Sequence, residues 1–271
     1  MVDETALVPV GRHRLAATVL GEGTPTVVIE PSFGGWAEDW TAIAETLAAE
    51  TKVVTYDRAP YGASSAARDS RTPRDIAADL DGLLRELSIS GPLVLVGHSA
   101  GGIYVRAYAA RYPERVAGMV LVDSSHEDQR RVLDPLWPWR TKLNTALTIP
   151  SIMRESAGSR RGGDRRSIIR EWRTFRRVTS GQTMLPRGGL GRRPLIVLTC
   201  AAGDPAVPLR IWRSWHDLHQ DLAGLSANSR HVVSRSSSHY LNAGDPGLVV
   251  SAIGDVVRCA RSGEPLAKSR H

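Results

Sequence analysis

A mostly parallel, doubly wound α/β sheet interrupted by one helical insertion is the fold class that this 271-residue sequence predicts. Two observations carry that prediction. Short, fully apolar runs such as Thr26-Val27-Val28-Ile29 and Leu93-Val94-Leu95-Val96 read as strands buried on both faces. Segments with helical spacing of apolar residues alternate with those runs, as βαβ units require. The alternation stops after Asp123 and resumes at Pro194, which marks residues 124–193 as an insertion.

The elements follow in order. Leu7 to Gly21 reads as one or two opening strands with a turn at Gly11-Arg12. Thr26 to Ile29 is a central strand that empties into the turn-rich loop Glu30-Pro31-Ser32-Phe33-Gly34-Gly35-Trp36. Asp39 to Glu50 has helical spacing, and Lys52 to Tyr56 is the next strand. Thr72-Pro73-Arg74-Asp75 opens a helix with a capping threonine, a proline at the first turn and an acid at the positive end of the dipole. Its apolar stripe runs through Ile76, Leu80, Leu83, Leu84 and Leu87. A strand at Leu93 turns sharply at Ser99 into a helix closed by Pro113, and Val116 to Val122 is a further buried strand. After the insertion come a strand at Leu195 to Thr199, a helix over Leu209 to Leu225, a strand at His231 to Val233 and a last helix over Asp245 to Arg258. Residues 1–123 and 194–271 are therefore expected to form the core, and 124–193 a helical cap or lid over it.

Composition excludes several classes. Hydrophobic residues make up 42% and charged residues 23% of the chain, ordinary values for a globular protein. No apolar run approaches the ~20 residues of a membrane span. The first residues, MVDETALVPV, lack the basic and apolar regions of a secretory signal, so a cytoplasmic setting and no membrane insertion are expected. Two cysteines, Cys200 and Cys259, cannot make a disulfide framework and read as buried free thiols. No cluster has metal-ligand spacing. The formal charge of +7 sits largely in Arg154 to Arg177, which holds nine arginines against three acids. A solvated lid surface is the plainest reading of that stretch, and an anionic substrate or acyl carrier the sharper one. No nucleic-acid-binding motif accompanies it, so a nucleic-acid partner is not expected.

The chemistry-bearing stretch is Gly97-His98-Ser99-Ala100-Gly101-Gly102 between strand and helix. A serine at the apex of so tight a turn is lifted clear of both elements, which is what a nucleophile needs. This stretch resembles the nucleophile elbow of the α/β-hydrolase fold family, in its serine hydrolase branch. The resemblance covers about residues 7 to 260 outside the insertion and implies the chain order nucleophile, acid, histidine. It places the histidine at His239, in Ser238-His239-Tyr240. It places the acid at Asp204, in Gly203-Asp204-Pro205, with Asp123 at the end of the preceding strand as the competitor. Asp204 is favoured because an aspartate at the Asp123 position more often braces the following loop. The backbone N–H groups of Ala100 and Phe33 would form the oxyanion hole. Pro31-Ser32-Phe33-Gly34-Gly35 departs there from the family's frequent His-Gly-x-Gly-Gly, and Asp57 to Ser65 carries its arginine one place early for the D-x-R-x-x-G-x-S turn.

Glu30 and Asp57 read as loop-bracing groups, and His98 as a residue that packs or hydrogen-bonds locally. His126, His216 and His219 read as solvated loop histidines. The resemblance implies a cofactor-free serine hydrolase acting on a small-molecule ester or related acyl bond. Thioesterase, lactonase, amidase, carbon–carbon hydrolase and perhydrolase chemistries remain open, as does a non-catalytic binding protein.

Overall fold

The computed structural model describes residues 5–67, 71–137, 169, 171, 173–175, 185–203 and 207–267. Asp204, Trp139, Trp172 and most of the arginine-rich stretch lie outside the described residues.

Eight strands form one sheet: β1 Ala6–Val10, β2 His13–Leu20, β3 Thr26–Glu30, β4 Val53–Tyr56, β5 Leu93–His98, β6 Val116–Val122, β7 Leu195–Thr199 and β8 Ser229–Val233. Their spatial order is β1-β2-β4-β3-β5-β6-β7-β8. Among the described residues, β1–β2 and β2–β4 pair antiparallel, and every pairing from β4 to β8 is parallel. The helices are α1 Thr41–Ala48, α2 Pro73–Glu86, α3 Ala100–Arg111, α4 Gln129–Leu133, α5 Leu209–Ala223, α6 Leu241–Gly244 and α7 Pro246–Ser262.

Consecutive strand residues point to opposite faces, so each apolar strand feeds two cores. Leu93, Leu95, Met119, Leu121, Leu195 and Val197 join the α2 and α3 side chains Leu80, Leu83, Leu84 and Val105 on one face. Val94, Val96, Val120, Val122, Ile196 and Leu198 join Ile43 and Leu47 of α1 and Val249, Ile253 and Val256 of α7 on the other. This explains why the central strands lack any polar alternation. The expected cap on α2 is present: Thr72 Oγ1 accepts from the Asp75 N–H, and the Asp75 carboxylate accepts from the Thr72 N–H.

Part of the 124–193 stretch packs against the sheet. Leu185 and Leu190 are buried in the core layer that holds Leu195 and Leu222, and Leu190 N–H donates to Leu225 O. Cys200 and Cys259 are both free; Cys200 is buried as expected, whereas Cys259, on α7, is only partly buried. Among the described residues no helix is long and apolar enough to cross a membrane.

Candidate active site

The site lies at the carboxyl ends of β5, β6 and β7, where open parallel sheets bind ligands. β5 runs straight into α3, and Ser99 between them has φ 52° and ψ −118°, a conformation that a serine adopts only under constraint. The constraint is local: Ser99 N–H donates to Val122 O, and Ser99 O accepts from Gly102 N–H and Ser125 N–H. Side chains at the two flanking glycines would block the turn. A Cβ on Gly97 would sit 2.7 Å from Gly102 Cα, and one on Gly101 would sit 2.2 Å from Glu30 O. The amino end of α3 thus presses directly on the loop that follows β3. Ala100 and Phe33, the two expected oxyanion donors, meet there in one apolar cluster with Ile76, Ile103, Tyr104 and Phe175.

The histidine and its acid come from the far side. His239 Nδ1 donates to Asp123 Oδ2 at 2.6 Å. Asp123 caps β6 with φ 39°, a second left-handed non-glycine residue at the site. Its other oxygen, Oδ1, accepts from Cys200 N–H at 3.0 Å and from Trp215 Nε1–H at 3.1 Å. Burial pushes the Asp123 carboxyl up, but the His239 hydrogen bond and its charge outweigh this and hold the pKa down at about 2. The carboxylate, 1% exposed, is therefore ionised near neutral pH, while the His239 side chain is 41% exposed.

The carboxylate that the structure sets on His239 is thus Asp123, the residue that the sequence reading put second, and Asp204 lies outside the described residues. The preference for Asp204 rested on a loop pattern. The geometry instead depends on a strand end: Asp123 is one residue beyond β6, beside the elbow on β5, with Asp123 N–H anchored to Leu198 O.

His98 fixes the histidine loop from below. It is 1% exposed, and its Nε2 lies 2.9 Å from the His239 carbonyl, which only accepts, so Nε2 carries the proton. The two imidazole rings are 5.0 Å apart. Burial, and next the His239 charge, push the His98 pKa down to about 4, so this ring is neutral near pH 7. The local packing role expected of His98 is what the structure gives.

The expectation of solvated histidines on the far side is corrected. His219 is completely buried and His126 is 3% exposed. His219 Nε2 donates to Ser124 O at 2.8 Å, which leaves Nδ1 to accept from the Thr199 hydroxyl at 2.6 Å. Thr199 accepts in turn from His231 Nε2 at 2.6 Å. The sequence signal for this was the α5 stripe: Trp215 and His219 are four residues apart, so both face the sheet below Asp123. Glu30 and Asp57 brace loops as expected. Asp57 accepts from the Ala37 and Ala63 N–H groups, and Glu30 pairs with Arg58.

Residues 25–151 match the family model described as alpha/beta hydrolase fold. The chain is 27% identical over 237 residues to the uncharacterized protein YqjL of Bacillus subtilis (strain 168), covering 87% of this chain and 85% of that one. Among solved structures it is similar to the enol-lactonase from Burkholderia xenovorans LB400, with TM-score 0.67 and 19% identity, covering 94% of this chain and 100% of that one. It is also similar to a thermophilic esterase from Thermogutta terrifontis, with TM-score 0.62 and 22% identity, covering 96% and 100%. The strand order, the positive-φ serine elbow and these matches give the chain the α/β-hydrolase fold.

Proposed function

We propose that the protein is a serine hydrolase that cleaves an ester or related acyl bond through an acyl-enzyme on Ser99. The observation that carries this reading is the 2.6 Å His239–Asp123 contact beside a serine held at positive φ. With its Nδ1 proton committed to Asp123, the His239 ring keeps Nε2 as the lone-pair nitrogen. That nitrogen would take the Ser99 Oγ proton as Oγ attacks the substrate carbonyl. The tetrahedral oxyanion would be met by the Ala100 and Phe33 N–H groups. Collapse would return the proton to the leaving alcohol, and a water deprotonated by the same nitrogen would release the acid and free Ser99. Asp123, ionised down to about pH 2, would stabilise the imidazolium without taking its proton.

The substrate would lie between the strand ends and the cap formed by part of residues 124–193. No cofactor is required by this scheme. A fluorophosphonate probe tests it: the wild-type protein should be labelled on Ser99 and Ser99→Ala should not. A folded wild-type sample that resists the probe would overturn the reading. Turnover of p-nitrophenyl esters of increasing chain length then measures the pocket.

A further inference from the structure

We propose that Arg58 is a positioning residue for the oxyanion hole: it holds the Ser32–Phe33 peptide plane and so aims the Phe33 N–H. The inference rests on the reading of Phe33 as an oxyanion donor. Arg58 is 1% exposed and lies between two completely buried carboxylates, with Nη1 2.6 Å from Glu30 Oε1 and Nη2 3.3 Å from Glu171 Oε1. Its guanidinium also lies over the Tyr61 and Tyr104 rings, with centroids at 5.2 and 4.9 Å. Ion pairing alone would satisfy the charges. Yet both nitrogens also donate to the loop after β3: Nη1 to Pro31 O at 2.8 Å and Nη2 to Ser32 O at 2.9 Å.

The second of these contacts matters most. Ser32 C=O and Phe33 N–H belong to one planar peptide unit and point in opposite directions. Fixing the oxygen therefore fixes where the hydrogen points. The Gly35 N–H donates to the same oxygen at 3.1 Å, closing the tight turn from the other side. A planar fork that reaches two carbonyls and two carboxylates at once cannot be replaced by a lysine.

The test uses the fact that the chain has two phenylalanines, Phe33 and Phe175. Protein isotopically labelled at phenylalanine nitrogen shows two backbone amide signals. A boronic acid that forms a tetrahedral adduct with Ser99 should move one of them strongly downfield. In Arg58→Lys that displacement should shrink, and kcat per titrated active site should fall about 10- to 100-fold with KM within about twofold. A wild-type spectrum in which neither amide responds defeats the Phe33 reading, and this inference with it. A full response in wild type that is unchanged in Arg58→Lys overturns the role of Arg58 alone, as does a wild-type kcat. A purely structural role would lower the titrated fraction and leave kcat per site intact. Should Arg58→Lys not fold, Glu30→Gln keeps the arginine but removes the charge that orients Nη1. It should lower kcat about fivefold, and an unchanged kcat in that variant overturns the proposal.

Discussion

His239 Nδ1 meets Asp123 Oδ2 at 2.6 Å, and the opposite oxygen of the same carboxylate is held by Trp215 Nε1 at 3.1 Å. The acid is thus gripped from both sides, and its environment can be altered without touching the histidine.

Trp215→Phe removes one donor from a buried, ionised carboxylate and keeps the ring's packing against His219. A hydrogen bond to a charged group contributes about 1.5–3 kcal/mol, so this variant should lose about that much stability in denaturant unfolding at neutral pH. Its turnover at pH 8 should fall by less than about tenfold, because His239 still holds Oδ2. Unchanged stability would show that the indole contact is not formed in solution.

Gly101→Ala tests the close approach of α3 to the loop after β3, which carries the proposed oxyanion donor Phe33. The new methyl would lie 2.2 Å from Glu30 O and 2.7 Å from Pro31 O, both backbone atoms that cannot swing away. Overpacking of this kind costs about 1–3 kcal/mol, and relief requires moving the loop that carries Phe33. We expect lowered thermal stability together with a kcat loss of about 100-fold or more. Wild-type turnover with alanine in place would argue against the tight elbow.

Two buried neutral histidines make stability depend on acidity. Burial depresses the pKa of His98 and of His219 to about 4, against about 6.5 for an unfolded histidine. Between those values the unfolded chain binds more protons than the folded one, so stability is full above about pH 6.5 and falls as pH drops towards 4. Near pH 5 the slope from these two residues should be about 2 kcal/mol per pH unit. Urea unfolding measured from pH 7 to pH 4.5 checks the slope. Replacing His219 by Gln should remove roughly half of it, and an unaltered slope would contradict the buried, neutral assignment.

The sequence made the sheet, the elbow and the terminal histidine legible because each rests on a local pattern. Apolar runs without alternation mark doubly covered strands, and glycines around Ser99 mark a turn that no larger residue permits. The partner of His239 is different in kind. Asp123 and Asp204 both follow strands, and choosing between them depends on how two strand ends and a distant loop come together, which spacing does not encode. The same holds for His219: its place on the buried face of α5 follows from the helix docking on the sheet below Asp123, 96 residues upstream in the chain. Arg58 was visible as part of a loop motif, but its reach to the Pro31 and Ser32 carbonyls is a tertiary fact.

In the proposed mechanism Asp123 acts through His239 on acyl transfer at Ser99. Turnover of p-nitrophenyl acetate by Asp123→Asn and Asp204→Asn, each corrected for titrated active sites, tests it most directly. A fall of about 10⁴-fold is expected for Asp123→Asn, because the histidine loses its orienting anion, and less than about tenfold for Asp204→Asn. A collapse of Asp204→Asn with Asp123→Asn left near wild type would contradict it.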